Sequence, residues 1–342
     1  KLFYSCLTIL ALIISPVYAK PPGDTTKTKA ELPWKQFTDG FAEAKKSDKK
    51  IMVDVYTNWC GWCKHMVKTT YSDPGIAQYI NNYFYPVQFN AEGKDTVTFF
   101  GKTYKPTSAE PRAPHEFALE KLNGKLSYPT TIFLNSYVKE QNTFLLNLTA
   151  PGYLETKRIE PMLIFTVENA YKNSGYDEFE KNFETAFNDS TLDNRLKNIS
   201  WQIPSDALRS VPVKKMKSIV MIYTDWCNSC KVMQRTSFID STVFNYADST
   251  FRFIGFNAET KDSIEFKGVY YHFKPEYKSN ELAAILLNGQ MSYPTSVYLD
   301  DQLNIITQVP GYMTGEQLLP VLRFFGEDIY KTKSWQDYSG GK

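Results

Sequence analysis

Four cysteines form two pairs of the same spacing, Cys60-Gly61-Trp62-Cys63 and Cys227-Asn228-Ser229-Cys230. A fifth, Cys6, stands alone near the N-terminus. Such a pair can close a structural staple, bind a metal through thiolates, or cycle between dithiol and disulfide. A staple closing so short a loop restrains little chain, because loop-closure entropy grows with loop length. A single zinc site drawn from both pairs needs two separate domains to meet. Covalent haem attachment needs His directly after the second cysteine. Position 64 is Lys, and His65, one residue later, reads as a surface helix residue. Exchange therefore explains the cysteines best. Its reacting species is the thiolate, which a helix N-terminus favours through free N–H groups and partial positive charge. Each pair follows an apolar run and opens a helical segment. Cys60 and Cys227 are then the candidate nucleophiles, and Cys63 and Cys230, one turn on, the candidate resolving cysteines.

The elements around the cysteines are written twice. A shift of 167 aligns residues 34–95 with 201–262 without a gap, and 21 of the 62 pairs are identical, which identifies a duplicated domain. Phe89-Asn-Ala-Glu92 matches Phe256-Asn-Ala-Glu259 outright, and after small gaps Ser127-Tyr-Pro-Thr130 matches Ser292-Tyr-Pro-Thr295. In the first copy, periodicity predicts a helix over 35–47, a strand over 51–55 and a helix from the cysteines to about Tyr71. A strand over 84–89 and a hairpin over 96–104 follow, the hairpin recurring at 264–271. A helix over 115–123, strands over 130–134 and 144–148, and a helix over 155–171 complete the copy. Strands alternating with helices imply an α/β fold, a central mixed sheet covered on both faces. The domains are expected at 31–172 and 199–335. A helical connector spans 173–198, with an amphipathic helix at 176–187, and a tail covers 336–342.

The chain has 342 residues, 42% hydrophobic, with 23 Tyr and 23 Phe, enough for a sizeable core in each half. A net charge of +2 without basic clusters argues against a nucleic-acid or polybasic membrane partner. Residues 1–19 carry a basic start, a short apolar run from Cys6 to Ile14, and Val17 and Ala19 at the −3 and −1 positions of a cut. They read as a signal peptide cleaved after Ala19. The expected location is periplasmic or otherwise exported, where disulfides persist.

With a Trp-led Cys-x-x-Cys-Lys after a strand and a Tyr-Pro-Thr before a later one, each copy resembles the thioredoxin superfamily. The likeness extends over roughly 280 residues and points to exported thioredoxin-like reductases. It implies that Pro129 and Pro294 are cis prolines facing the cysteines. Tyr128 and Tyr293 would then border a substrate groove with Trp59, Trp62 and Trp226. It also implies that Asp54, six residues before Cys60, is the buried acid that moves protons for the second cysteine. Met221 holds the corresponding place in copy two, and the family's partner lysine is replaced by Gln88 and Gly255.

The function expected is an exported thiol–disulfide oxidoreductase, a protein-disulfide reductase or isomerase serving cell redox homeostasis. Its partners would be protein thiols and disulfides and a membrane or exported electron donor. It would need no cofactor beyond its redox-active disulfides, and no metal. A relay between the two pairs is the variant reading. A redox-inactive adaptor or a thiolate metal chaperone is the non-enzymatic alternative, most credible for copy two.

Overall fold

A computed structural model of the chain describes residues 30–340 apart from Val213. The signal peptide expected at 1–19 lies outside the described residues. Among those described, no helix is long and apolar enough to cross a membrane.

The first copy runs α1 (Phe37–Ala44), β1 (Lys50–Tyr56), α2 (Gly61–Thr69), α3 (Pro74–Tyr83) and β2 (Phe84–Asn90). A hairpin of β3 (Val97–Phe99) and β4 (Lys102–Tyr104) follows, then α4 (Glu116–Lys121), β5 (Thr130–Leu134), β6 (Leu146–Pro151) and α5 (Thr156–Val167). Two helices, α6 (Tyr176–Asn188) and α7 (Leu192–Leu196), lead into the second copy. That copy begins with β7 (Trp201–Gln202), α8 (Pro204–Ala207), β8 (Lys217–Tyr223), α9 (Asn228–Val232), α10 (Ser241–Thr250) and β9 (Phe251–Asn257). Two short hairpins are formed by β10 (Ile264–Phe266) with β11 (Val269–Tyr271) and β12 (Phe273–Lys274) with β13 (Ser279–Asn280). Then come α11 (Glu281–Leu286), β14 (Thr295–Leu299), β15 (Ile305–Pro310), α12 (Gly315–Gly326) and α13 (Trp335–Ser339).

Each copy is a mixed sheet between helices. The first sheet has the order β2-β1-β5-β6 and the second β15-β14-β8-β9-β7. The parallel pair β1/β2 starts at Lys50↔Phe84, and β8/β9 starts at Lys217↔Phe251, the same register displaced by 167 residues. A central strand covered on both faces reads as a continuous apolar run, which accounts for the burial of Ile51, Met52, Val53 and Val55. Side chains alternate along it. Ile51, Val53 and Val55 pack with Phe37, Phe41 and Phe117 on the α1/α4 side. Met52 packs with Met66, Ile80 and Leu163 on the α2/α3/α5 side. Asp54 shares the parity of Met52 and so faces α2.

The second domain's core is not closed by its own residues alone. Ile164, Phe165, Phe179, Phe183 and Ala186, from α5 and α6, belong to one apolar cluster with Met221, Cys227, Cys230 and Val232. Phe179 stands 5.3 Å from the Tyr312 ring, and Arg235 bonds the Ala186 carbonyl at 2.6 Å and Asp193 at 3.0 Å.

Three expectations are corrected. The helix expected over 155–171 ends at Val167, because Asn169 turns left-handed at φ 58°, and a 3₁₀ turn follows at Ala170–Lys172. The strand expected at 144–148 runs over Leu146–Pro151, since Phe144 turns into the core beside Phe41 and Phe100. The tail expected at 336–342 contains most of α13. Its start is capped by the Ser334 hydroxyl, which accepts from Asp337 N at 3.1 Å, and Trp335 and Tyr338 each pack 5.3 Å from the Phe324 ring.

Candidate active site

Cys60 ends the turn after β1 and is the N-cap of α2. Its Sγ accepts from Cys63 N at 3.0 Å, and the two cysteines form a disulfide. Cys227 caps α9 in the same way, accepting from Cys230 N at 3.1 Å and pairing with Cys230. The four cysteines thus fall into two closed pairs. Among the described residues, no group of three or more His, Cys, Asp or Glu is placed to hold a metal ion.

Aromatic rings frame both pairs. Trp59 is 53% exposed, and its indole N–H donates to Glu92 at 2.9 Å. Trp226 repeats this with Glu259 at 3.1 Å. The Trp59 and Tyr128 rings stand edge to face at 6.2 Å, and Trp226 and Tyr293 at 5.8 Å. Tyr128-Pro129 and Tyr293-Pro294 are both cis. The proline carbonyls accept from Gly152 N and Gly311 N at 2.8 and 2.7 Å, which fixes each cis loop against its neighbouring strand. The first site carries additional groups. Trp62 is 61% exposed and packs with His65 and Tyr153, and the Arg112 guanidinium lies 5.8 Å from the Trp59 ring.

On β1, six residues before Cys60, lies a buried carboxyl group whose oxygens have no hydrogen-bond partner. Asp54 pairs in register with Gln88 on β2 and Thr131 on β5. It is buried, and neither carboxylate oxygen has a hydrogen-bond partner. Burial pushes its pKa up to about 7, and the nearby Gln88 side chain pulls it down by less. The Tyr71 hydroxyl, 2.9 Å from Thr131 Oγ1, is held well above the phenol range by burial and by the Asp54 charge. In copy two the strand position belongs to Met221, buried in the core.

A different carboxylate meets the second pair, and it comes from the other domain. Glu168, at the C-cap of α5, accepts from Asn228 N at 3.1 Å and Ser229 N at 2.6 Å. Its Oε2 lies 3.7 Å from Cys227 Sγ. Burial raises the Glu168 pKa, opposed by its bonds with Ser229 and Asn228 and by the Lys231 charge. Sequence reasoning missed Glu168, Glu92 and Glu259. The repeated Phe-Asn-Ala-Glu carried a signal for the last two. Glu168 matches Glu327 at offset 159, but nothing local says that one of them reaches into a neighbouring domain.

Residues 25–189 match the family profile Thioredox_DsbH, described as a protein of unknown function, DUF255. Residues 204–326 match a thioredoxin-like domain. Curated proteins gave no match. Among solved structures the chain is similar to a thioredoxin from Thermus thermophilus, with 17% identity over 39% of this chain and 85% of that one and a TM-score of 0.29. It is similar to a candidate disulphide-isomerase from Bacteroides thetaiotaomicron, with 22% identity over 41% and 96% and a TM-score of 0.29. It is also similar to the C-terminal domain of DsbD from Neisseria meningitidis, with 18% identity over 38% and 96% and a TM-score of 0.26. The chain belongs to the thioredoxin superfamily and contains two thioredoxin-like domains. Two closed Cys-x-x-Cys pairs on that fold support thiol–disulfide oxidoreductase chemistry.

Proposed function

We propose that the protein is an exported protein-disulfide reductase or isomerase whose first domain meets the substrate. The carrying observation is the Cys60–Cys63 pair at a helix start, between exposed Trp59 and Trp62, with a buried, unpartnered Asp54 on the strand before it. In the reduced form, the Cys60 thiolate attacks a substrate disulfide. That S–S bond breaks, a Cys60–substrate disulfide forms, and one substrate thiolate leaves. Cys63 then gives its proton to Asp54 and attacks Cys60 Sγ. The second substrate thiolate leaves, Cys60–Cys63 closes, and two electrons have passed to the substrate. A carboxylate with a pKa near 7 suits that proton transfer. A dithiol donor outside the cytoplasm would restore the pair. In isomerisation, a substrate thiol displaces Cys60 instead and no net electrons move. Trp59, Trp62, Tyr128 and Pro129 would form the groove, with Trp226, Tyr293 and Pro294 their counterparts in the second domain.

The test is a trap. Cys63→Ser should accumulate covalent adducts with disulfide-bearing proteins through Cys60, and Cys60→Ser should accumulate none. Adducts on Cys60→Ser alone would reverse the roles, and none on either would remove the exchange reading.

A further inference from the structure

The two redox helices start alike but are covered differently. Among the described residues, no side chain accepts from the N–H groups of Gly61 or Trp62 at the start of α2. The matching groups in the second domain, Asn228 N and Ser229 N, are both taken by the Glu168 carboxylate. These free N–H groups are part of what favours a thiolate at a helix start. The contrast continues at Tyr153 and Tyr312, which correspond at offset 159. Tyr153 packs on Trp62 at the surface. Tyr312 is buried beneath α6, with its hydroxyl accepting from Asn182 Nδ2 at 2.9 Å. So α5 and α6 lie over the face of the second domain that the first domain leaves open. The cover is tied down at its turn, where Asn173 donates to the Pro310 carbonyl at 3.2 Å and accepts from the Gln317 side chain.

We propose that Glu168, supplied by the first domain, is a positioning residue of the second redox centre that opposes a thiolate at Cys227 and keeps that pair closed as a disulfide. The proposal rests on the thiol–disulfide reading above. With the pair oxidised, the carboxylate is satisfied by two backbone donors beside a neutral sulfur. Reduction changes the balance. A donor thiolate attacks one sulfur, the Cys227–Cys230 bond breaks, and a mixed disulfide forms. The donor's second thiol resolves it, leaving two electrons and two protons on the cysteines and a disulfide on the donor. A thiolate at Cys227 would then stand beside the Glu168 carboxylate at the 3.7 Å now separating Sγ from Oε2. Like charges so close disfavour the doubly ionised state, so one proton stays between Sγ and Oε2. The groups facing Glu168 do not remove the conflict. Lys231 on α9 offsets it in part, while Tyr79 and Tyr83 on α3, whose pKa values are raised by burial and by the Glu168 charge, remain neutral.

The experiment uses the full chain with Cys60→Ser and Cys63→Ser, so that only the second pair reports. After reduction with dithiothreitol, alkylation of Cys227 by iodoacetamide is followed from pH 5 to 9 in the parent, Glu168→Gln and Glu168→Ala. The glutamine keeps the shape and one acceptor but removes the charge. The expected result is faster alkylation at pH 7 in Glu168→Gln, by about tenfold, with the profile moved to lower pH. Equilibration with dithiothreitol should also leave more of this pair reduced in the variant. Unchanged profiles in both variants overturn the proposal. So does a change confined to Glu168→Ala, which would mean that the side chain only fills space. Neither readout depends on substrate turnover by Cys60, so failure here leaves the proposed function standing, and failure of the adduct trap leaves this result readable.

Discussion

Asp54→Asn separates a buried proton acceptor from a buried spacer, because only the former makes stability depend on pH. The folded-state pKa of Asp54 is about 7, against 3.8 for an unperturbed aspartate. Below about pH 4, both the folded and unfolded chains hold the proton, and the residue costs nothing extra. Between 4 and 7, the unfolded chain releases it while the folded chain keeps it. Stability then falls with rising pH, the reverse of the usual salt-bridged aspartate. Each pH unit is worth about 1.4 kcal/mol, so the loss reaches about 4 kcal/mol near pH 7 and is flat above. The substituted asparagine does not titrate. It carries its own cost as a buried amide, but that cost is the same at every pH. The stability of Asp54→Asn relative to the parent should therefore rise by about 4 kcal/mol from pH 4 to pH 8. Urea unfolding of both oxidised proteins at four pH values reads this directly, since all other titrating groups are common to the pair. The same substitution should slow insulin-type disulfide reduction at pH 7 by about tenfold to a hundredfold, at or below the low end of general-base assistance. A relative stability that does not change with pH would mean that the carboxylate is hydrated or paired in solution, and the proton-acceptor role would fall with it.

Two further changes probe the surroundings of the two sites. Trp62→Ser puts the copy-two residue into the first site; it should raise KM for a protein disulfide while leaving reduction by dithiothreitol and the unfolding midpoint nearly unchanged, and an unaltered KM would remove Trp62 from the groove. Phe179→Ala empties a fully buried position of α6 between Phe165 and Tyr312, so it should cost about 3–5 kcal/mol of stability and speed reduction of Cys227–Cys230 as the cover loosens; faster unfolding without faster reduction would show that α6 does not limit access.

What could be read from the sequence follows from the range over which each signal acts. The strand–Cys-x-x-Cys–helix unit is local. An apolar run followed by a motif and a helical period needs no tertiary knowledge, and the repeat supplied a second copy of the pattern. The Asp54 and Met221 difference could be read the same way, because both sit on a strand whose neighbouring positions are apolar. The early end of α5 could not. Residues 155–171 keep a helical period throughout, and only the left-handed turn at Asn169 interrupts it. The same left-handed turn recurs at Asp328, φ 60°, after α12, so it belongs to the repeat itself. Glu168 was hidden because its partners lie in the other copy. Its partners are 60 and 61 residues away, while its counterpart Glu327 is exposed.

The duplication explains why two similar domains draw their buried carboxylates from different elements, Asp54 from β1 and Glu168 from the end of α5. In a single thioredoxin-like domain, the last helix ends at the surface. In a tandem chain, the last helix of copy one must hand over to copy two, and the segment after it is a hydrophobic face in search of cover. Phe179, Phe183 and Ala186 find that cover on the helix that begins with Cys227. Packing the segment there carries Glu168 to the start of the redox helix, where the two free N–H groups satisfy a carboxylate that would otherwise be buried at a cost. A buried acid on the strand would then put a second carboxylate, without such donors, within the same small core. Met221 at that position avoids it. The loss of the acid in copy two and the arrival of Glu168 are on this view one structural event. The first pair follows a strand that carries the buried carboxyl of Asp54 and stands beside the exposed Trp62. The second has a carboxylate against its leading cysteine.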